Sequence, residues 1–292
     1  MHPKSKILRA SAGDSMKAII LAAGKGTRLR PLTYGIPKPL LPVKGVPVIN
    51  WVVRNISKAG PTINPIFLLV PDGAMQTDND EKKTAEIHFE AVTNYVRFIK
   101  EFAGLIHTRK APQKETGGDL RYIIDEEKLR GERILVAYGD NITDIDIVAL
   151  LEYHDICRKK LNVACTVALF EVPKKDISRF GIAEVEKVSG CDIIKSFVEK
   201  PASSTSTLAN AGYYVLEVSD IYNLLPEGKE KVERSVFPAL VKDGKLAAFV
   251  TKLPFWIDIG DTESYLKAEE LVLMEGTIIP PPMTDIKTGG KS

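Results

Sequence analysis

The feature that most constrains this chain lies near its start: Ile19-Ile20-Leu21-Ala22-Ala23-Gly24-Lys25-Gly26-Thr27-Arg28-Leu29, continuing through Pro31-Leu32-Thr33 to Pro37-Lys38-Pro39. A short apolar run bounded by glycine reads as a buried strand of a parallel sheet, and such strands need helices on both faces. Gly24 and Gly26 carry no Cβ, so the backbone after the strand can approach a ligand closely. Its N–H groups can then point at phosphate oxygens. Arg28 and Lys38 add positive charge, and the prolines around Lys38 fix where that charge is held. The stretch therefore predicts a phosphate-handling loop at the carboxyl end of a first strand, with an ordinary tight turn as the bland alternative for the two glycines.

The rest of the chain repeats the same texture. Short apolar runs alternate with amphipathic segments, which predicts an α/β fold with a mostly parallel sheet. Helices are expected over 48–59, where Ile49, Val52, Val53 and Ile56 recur at helical spacing, and over 84–102, with Ile87, Val92, Val96 and Ile99 on one face. Further helices are expected over 146–158 and 263–274, and shorter ones over 221–225 and 236–241. Strands are expected over 65–70 and 134–138, and residues 72–83 read as a loop. From residue 162 the pattern turns β-rich, with strands over 163–172, 181–188, 192–198, 210–216 and 246–253. The domain reading is an extension over 1–15, one domain over 16–274 with halves at 16–160 and 161–274, and a tail over 275–292.

Net charge is +2, so an anion site must be local rather than a broad field for nucleic acid or acidic membrane. Cys157, Cys165 and Cys191 show neither disulfide nor zinc spacing, which suits a reducing, cytoplasmic setting. No apolar run approaches the roughly 20 residues of a membrane span. The first fifteen residues have no hydrophobic segment of the secretory kind. A dinucleotide fingerprint needs a third glycine where Leu29 stands and an acid where Lys44 stands, and a P-loop needs a Gly-Lys-Ser/Thr ending that is missing.

Taken whole, the opening stretch resembles the signature of the sugar-1-phosphate nucleotidylyltransferases. Further segments resemble that family in its own order: Thr116-Gly117-Gly118, Gly139-Asp140-Asn141, Phe180-Gly181, Glu199-Lys200-Pro201, Asn210-Ala211-Gly212 and Trp256-Ile257-Asp258-Ile259-Gly260. The resemblance implies a Rossmann-like sheet flanked by helices, with a smaller inserted β-rich subdomain for the sugar. It implies a nucleoside triphosphate and a sugar 1-phosphate as substrates, and Mg2+ as cofactor. The residues it points to are Arg28 and Lys38 for catalysis, and Leu21, Ala23, Gly24, Gly26, Thr27, Gln113 and Gly118 for the nucleotide. Gly181, Glu199, Lys200 and Asn210 are implied for the sugar phosphate, and Asp140 and Asp258 for the metal. Both aspartates also follow apolar strands, where parallel-sheet proteins place ligands; for Asp258 the competing reading is a cap on the next helix.

The likeness departs from the family at one point. Glu115 stands where the loop before Thr116 carries a glycine. Gln113 has the spacing of the base-reading glutamine of pyrimidine-using members, while a second alignment gives that place to Lys110. Glucose 1-phosphate with dTTP or UTP is the first expectation, and mannose 1-phosphate with GTP follows closely. A non-catalytic nucleotide-sugar sensor and an enzyme for phosphocholine-like alcohol phosphates are the alternatives. The sequence is compatible with a homo-oligomer and does not define one. Because Met16 directly begins the first strand, a chain starting there is expected to fold and turn over like the full one; loss of either, followed by circular dichroism and pyrophosphate release, would contradict this.

Overall fold

The computed structural model describes residues 15–274 other than 72, 74, 75 and 77, so the tail and all but the end of the extension lie outside the described residues. Strand β1 (Met16–Leu21) leads through a short helix α1 (Leu32–Gly35) and a small hairpin, β2 (Pro42–Val43) and β3 (Val46–Pro47), into α2 (Val48–Ser57). Then come β4 (Ile63–Pro71), α3 (Asn79–Phe98), β5 (Ile106–Ala111), α4 (Glu115–Glu126), β6 (Arg133–Tyr138), β7 (Asn141–Thr143) and α5 (Ile147–Leu161). The second half supplies β8 (Cys165–Glu171), β9 (Gly181–Val188), β10 (Cys191–Glu199), β11 (Leu208–Glu217), α6 (Val218–Ile221), α7 (Val232–Lys242), β12 (Leu246–Val250), β13 (Trp256–Asp258) and α8 (Thr262–Met274).

One mixed sheet of nine strands, in the order β5-β4-β1-β6-β11-β8-β12-β10-β9, carries the molecule. Strand β1 is paired in parallel with β4 on one side and β6 on the other, so its backbone groups are satisfied inside the sheet. Side chains alternate between two cores, as a two-residue period demands. Ile20, Leu68, Leu135 and Tyr213 pack against α2, α3 and α5, whereas Ile19, Leu69, Val136 and Tyr214 pack against α4 and α7. Both faces are covered, which is why these strands read as unbroken apolar runs.

The β-rich second half continues this sheet. Strand β11 runs antiparallel to β6 through Tyr213–Ala137 and Tyr214–Val136, so the two halves are joined at the sheet's centre. Beyond β8 and β12, the hairpin β9–β10 curls round until Leu208 and Ala209 at the start of β11 pair with Ala183 and Ile182. The smaller subdomain expected from the resemblance is thus this curled extension. A separate antiparallel pair, β7 with β13, sets Asp258 opposite Asn141 just past the end of β6.

One strand appears that the sequence pattern did not announce, and two local expectations change. Strand β5, Ile-His-Thr-Arg-Lys-Ala, has no apolar run, because it is an edge strand that buries only its end residues, Ile106 and Ala111. Helix α3 begins inside the expected loop, since the Asp78 carboxylate caps it by accepting from the Glu81 N–H at 2.8 Å. Its buried face is Ala85, Val92 and Val96; Ile87 is exposed, because five residues from Val92 is about 140° around a helix, and Ile99 falls beyond the helix end. Truncating Ile19 to Ala is expected to cost about 2–5 kcal/mol in urea unfolding, while Ile156→Ala on the exposed side of α5 should stay within about 0.5 kcal/mol. Equal effects would contradict the placement of β1 in the core.

Candidate active site

The loop after β1 is shaped by Gly26, which sits in the left-handed region at φ +65° and so closes the turn without steric cost. Thr33 Oγ1 donates to the Gly26 carbonyl at 2.8 Å and fixes the loop from behind. A single 3-10 turn over Thr27–Leu29 buries Leu29 and turns Arg28 outward, where its Nη1 lies 3.9 Å from Asp261 Oδ2. Lys38 opens another such turn after Pro37, and its Nζ reaches Asp140 Oδ2 at 2.5 Å. That ion pair links the Pro37-Lys38-Pro39 turn to the end of β6, across 102 positions of sequence.

Asp258 is delivered to the same place by the β7–β13 pair, and the Ile259 N–H donates to the Asp140 carbonyl at 2.8 Å. Burial pushes the Asp258 carboxyl above its usual range; the charge of Asp140 adds to this, and Arg179 and Lys38 oppose it. Arg179 Nη2 stands 3.4 Å from Asp258 Oδ1. The helix-capping role that competed for Asp258 belongs to Asp261, whose Oδ1 accepts from the Ser264 N–H at 2.9 Å and the Ser264 hydroxyl at 2.6 Å. Those bonds hold Asp261 below the usual carboxylate range. Asp258 is left free of that duty.

A cleft of about 470 Å³ lies over Lys38 and Asp140, while Asp258, beside Asp140, stands outside its lining. Of the residues expected for the nucleotide and catalysis, Leu21, Ala23, Gly24, Gly26, Thr27, Arg28, Lys38, Gln113 and Asp140 all line it. Gly118 does not. A Cβ there would lie 2.4 Å from the Gly228 carbonyl oxygen, and its N–H donates to the Glu230 carbonyl at 3.3 Å, so this glycine docks the 226–230 loop onto α4.

The residues expected for the sugar phosphate lie beyond the cleft lining. Glu199 Oε1 is 3.0 Å from Lys231 Nζ, and Gly181 adjoins Glu199. Lys200 takes a left-handed φ of +53° and donates its N–H to the Phe180 carbonyl at 2.9 Å. Asn210 has a structural use: its Nδ2 donates to the Tyr214 hydroxyl at 2.8 Å and its Oδ1 accepts from the Gly212 N–H at 2.8 Å, holding the irregular middle of β11. The second base-reading alternative, Lys110, lies over the Phe89 ring of α3 at 5.5 Å.

The cleft also contains groups that local motifs do not announce. Lys229 and Lys231 line its far wall together with Tyr138. Behind them Glu233 is nearly fully buried, accepting from Thr116 Oγ1 at 3.0 Å and from the Tyr138 hydroxyl. Thr116 Oγ1 in turn accepts from the Val232 N–H at 3.0 Å, so α7 is pinned to α4. In sequence Lys229-Glu230-Lys231-Val232-Glu233 is merely a polar run before a helix.

Two carboxylates are what a hard divalent cation asks of the protein when phosphates supply its other oxygens. Among the described residues no group of three or more His, Cys, Asp or Glu is arranged to hold a metal by itself. Asp140 and Asp258 fit the smaller requirement: all their donors are oxygen, and they are near enough for one charge to perturb the other. An arrangement with a cationic loop, two converging carboxylates and a basic far wall can bind two polyanions side by side.

A family model described as Nucleotidyl transferase matches residues 17–275. The chain is 29% identical over 259 residues to a mannose-1-phosphate guanylyltransferase of Mycobacterium tuberculosis, covering 88% of this chain and 64% of that protein. It is 31% identical over 265 residues to a UTP–glucose-1-phosphate uridylyltransferase of Synechocystis, covering 88% and 63%. It therefore spans less than two thirds of the length of these curated relatives. A solved structure assigned as a glucose-1-phosphate thymidylyltransferase of Bacillus anthracis superposes with a TM-score of 0.69 at 26% identity, covering 88% of this chain and 94% of that one.

Because the folded pKa of Asp258 is raised, ionising it costs the fold stability as pH climbs from below about 4 toward neutrality. Asp258→Asn is expected to raise the unfolding free energy of the metal-free protein at pH 7, with the gain vanishing in acid. A pH series of urea unfolding checks this; a variant less stable than wild type at pH 7 would contradict it.

Proposed function

The chain belongs to the nucleotidyl transferase family, and from that premise we propose that it transfers a nucleotidyl group from a nucleoside triphosphate to a sugar 1-phosphate, releasing pyrophosphate. The observation that carries this reading is the meeting of Lys38 with Asp140 at the end of β6, with Asp258 brought beside them by β13. The relatives divide between guanylyl and uridylyl transfer, so the substrate pair remains either glucose 1-phosphate with dTTP or UTP, or mannose 1-phosphate with GTP.

In this mechanism a phosphate oxygen of the sugar 1-phosphate attacks the α-phosphorus in line, and the bond from that phosphorus to the pyrophosphate oxygen breaks. The nucleophile is already ionised near neutral pH, so the protein need not remove a proton. What it must supply is alignment of two anions and stabilisation of charge on the transferring group. The amides of residues 24–27 and Arg28 receive the triphosphate. Lys38 exchanges its partner, giving up Asp140 for a phosphate oxygen. Asp140 and Asp258 would hold a magnesium ion, which when bound neutralises and orients the phosphates. Lys231, already paired with Glu199, and Lys200 present the sugar phosphate from the second half, with Glu199 toward the sugar hydroxyls.

Retention of Arg28, Lys38, Asp140 and Asp258 together favours catalysis over a nucleotide-sugar sensor, which has no need of the full set. No described helix is long and apolar enough to cross a membrane. A cytoplasmic place beside its phosphorylated substrates is part of this proposal. Asp140→Asn and Lys38→Ala are each expected to cut turnover at least about a hundredfold, the scale of removing one group that stabilises developing charge. Near-native pyrophosphate release in both would overturn the assignment, and binding without turnover in the wild type would favour the sensor.

A further inference from the structure

Where the chain enters α4, the cleft is lined by the polar side chains of Gln113, Glu115 and Thr116, with Asp119 one turn further along the helix. Thr116 is committed to Glu233 and the Val232 N–H. Gln113 is already used within the protein. Its Nε2 donates to the Ala23 carbonyl at 3.0 Å, and its Oε1 accepts from Gln76 Nε2 at 2.6 Å. Asp119 is buried, and its Oδ1 accepts from the Lys114 N–H at 2.8 Å. Lys110 sits over Phe89 and does not line the cleft.

Glu115 differs from Gln113, Asp119 and Lys110. It is exposed, lines the cleft, and has no hydrogen bond or ion pair among the described residues. Its φ of +62° lies where glycine rests easily and a side chain with a Cβ does not. The backbone thus keeps a glycine-like conformation while presenting a carboxylate to the cleft.

A carboxylate offers two acceptors and no donor. Guanine presents two N–H donors side by side on its pairing edge, at N1 and at the 2-amino group, and so matches both oxygens. Uracil and thymine present one N–H between two carbonyl oxygens, which a carboxylate repels. Adenine and cytosine present one amino donor next to a ring acceptor. Only guanine satisfies the pair, and a bidentate charge-assisted contact is the strong form of such recognition.

We propose that Glu115 is a specificity-determining residue of the nucleotide site and that it selects a guanine nucleotide, an inference that rests on the nucleotidyl-transfer reading above. The test compares GTP, ITP, UTP and dTTP, each with mannose 1-phosphate and with glucose 1-phosphate, in the wild type, Glu115→Gln and Glu115→Gly. ITP lacks only the 2-amino donor. Calorimetric binding of GTP and ITP to the same proteins reads the base contact without turnover.

In the wild type kcat/KM for GTP should exceed that for ITP and for UTP by about tenfold or more, the scale of one bidentate base contact. Both substitutions should bring the GTP-to-ITP ratio close to one, in turnover and in binding. Glu115→Gly relaxes the strained φ, so it stays folded and guards against misreading an unfolded variant. Preference for UTP or dTTP, or a GTP-to-ITP ratio unmoved in both variants, overturns the inference while leaving nucleotidyl transfer intact. Absence of turnover with every pair, alongside Glu115-dependent binding of GTP over ITP, supports the base contact and sinks the transfer reaction instead.

Discussion

Like charges brought together inside a fold are costly unless cations stand among them, and the geometry of this cleft follows from that constraint. The β7–β13 pair forces Asp258 toward Asp140, and each carboxylate is met by a cation from another part of the chain: Lys38 for Asp140, Arg179 for Asp258. The cations are aimed by backbone features that would be odd elsewhere, a lysine set between two prolines and an arginine directly before Phe180-Gly181. Removing either cation leaves a partly buried charge unmatched. Under the proposed nucleotidyl transfer, substrate phosphates and a divalent ion would take over these pairings.

A second dependency joins the two halves. Strand β11 inserts beside β6, but the cleft's far wall rests on a small buried network: Glu233 accepting from Thr116 and Tyr138, with Thr116 accepting from the Val232 N–H. Burial raises the Glu233 carboxyl above its usual range, and the hydroxyl donors from Tyr138 and Thr116 work against that shift. Through this network Lys229 and Lys231 are held facing the glycine loop. The docking explains why Gly118 is small: the 226–230 loop lies against it where a Cβ would stand.

Much of this was legible in the residues. The apolar run of β1, the glycines after it, the aspartate after β6 and the aspartate that ends β13 are local patterns, and local patterns survive folding. The helical periodicity of α2 was equally plain. What escaped were features set by partners distant in sequence. Strand β5 is polar because it lies at a sheet edge, and Ile87 is exposed because packing against the sheet selects Ala85, Val92 and Val96. Lys231 and Glu233 gain meaning only when α7 docks on α4. Gln113 has the spacing of a base reader, yet its amide is taken up by Ala23 and Gln76, which no spacing discloses. Asn210 belongs to a recognisable motif and turns out to brace a strand.

The central claim is that Asp140 and Asp258 act together on one divalent ion while the glycine loop and Lys38 hold the phosphates. Titration of Mn2+ against the protein with a non-hydrolysable triphosphate, followed by electron paramagnetic resonance, addresses it directly. The account predicts one tightly held ion per chain, weakened about tenfold or more by Asp140→Asn and by Asp258→Asn alike. Undiminished binding in either variant would contradict it.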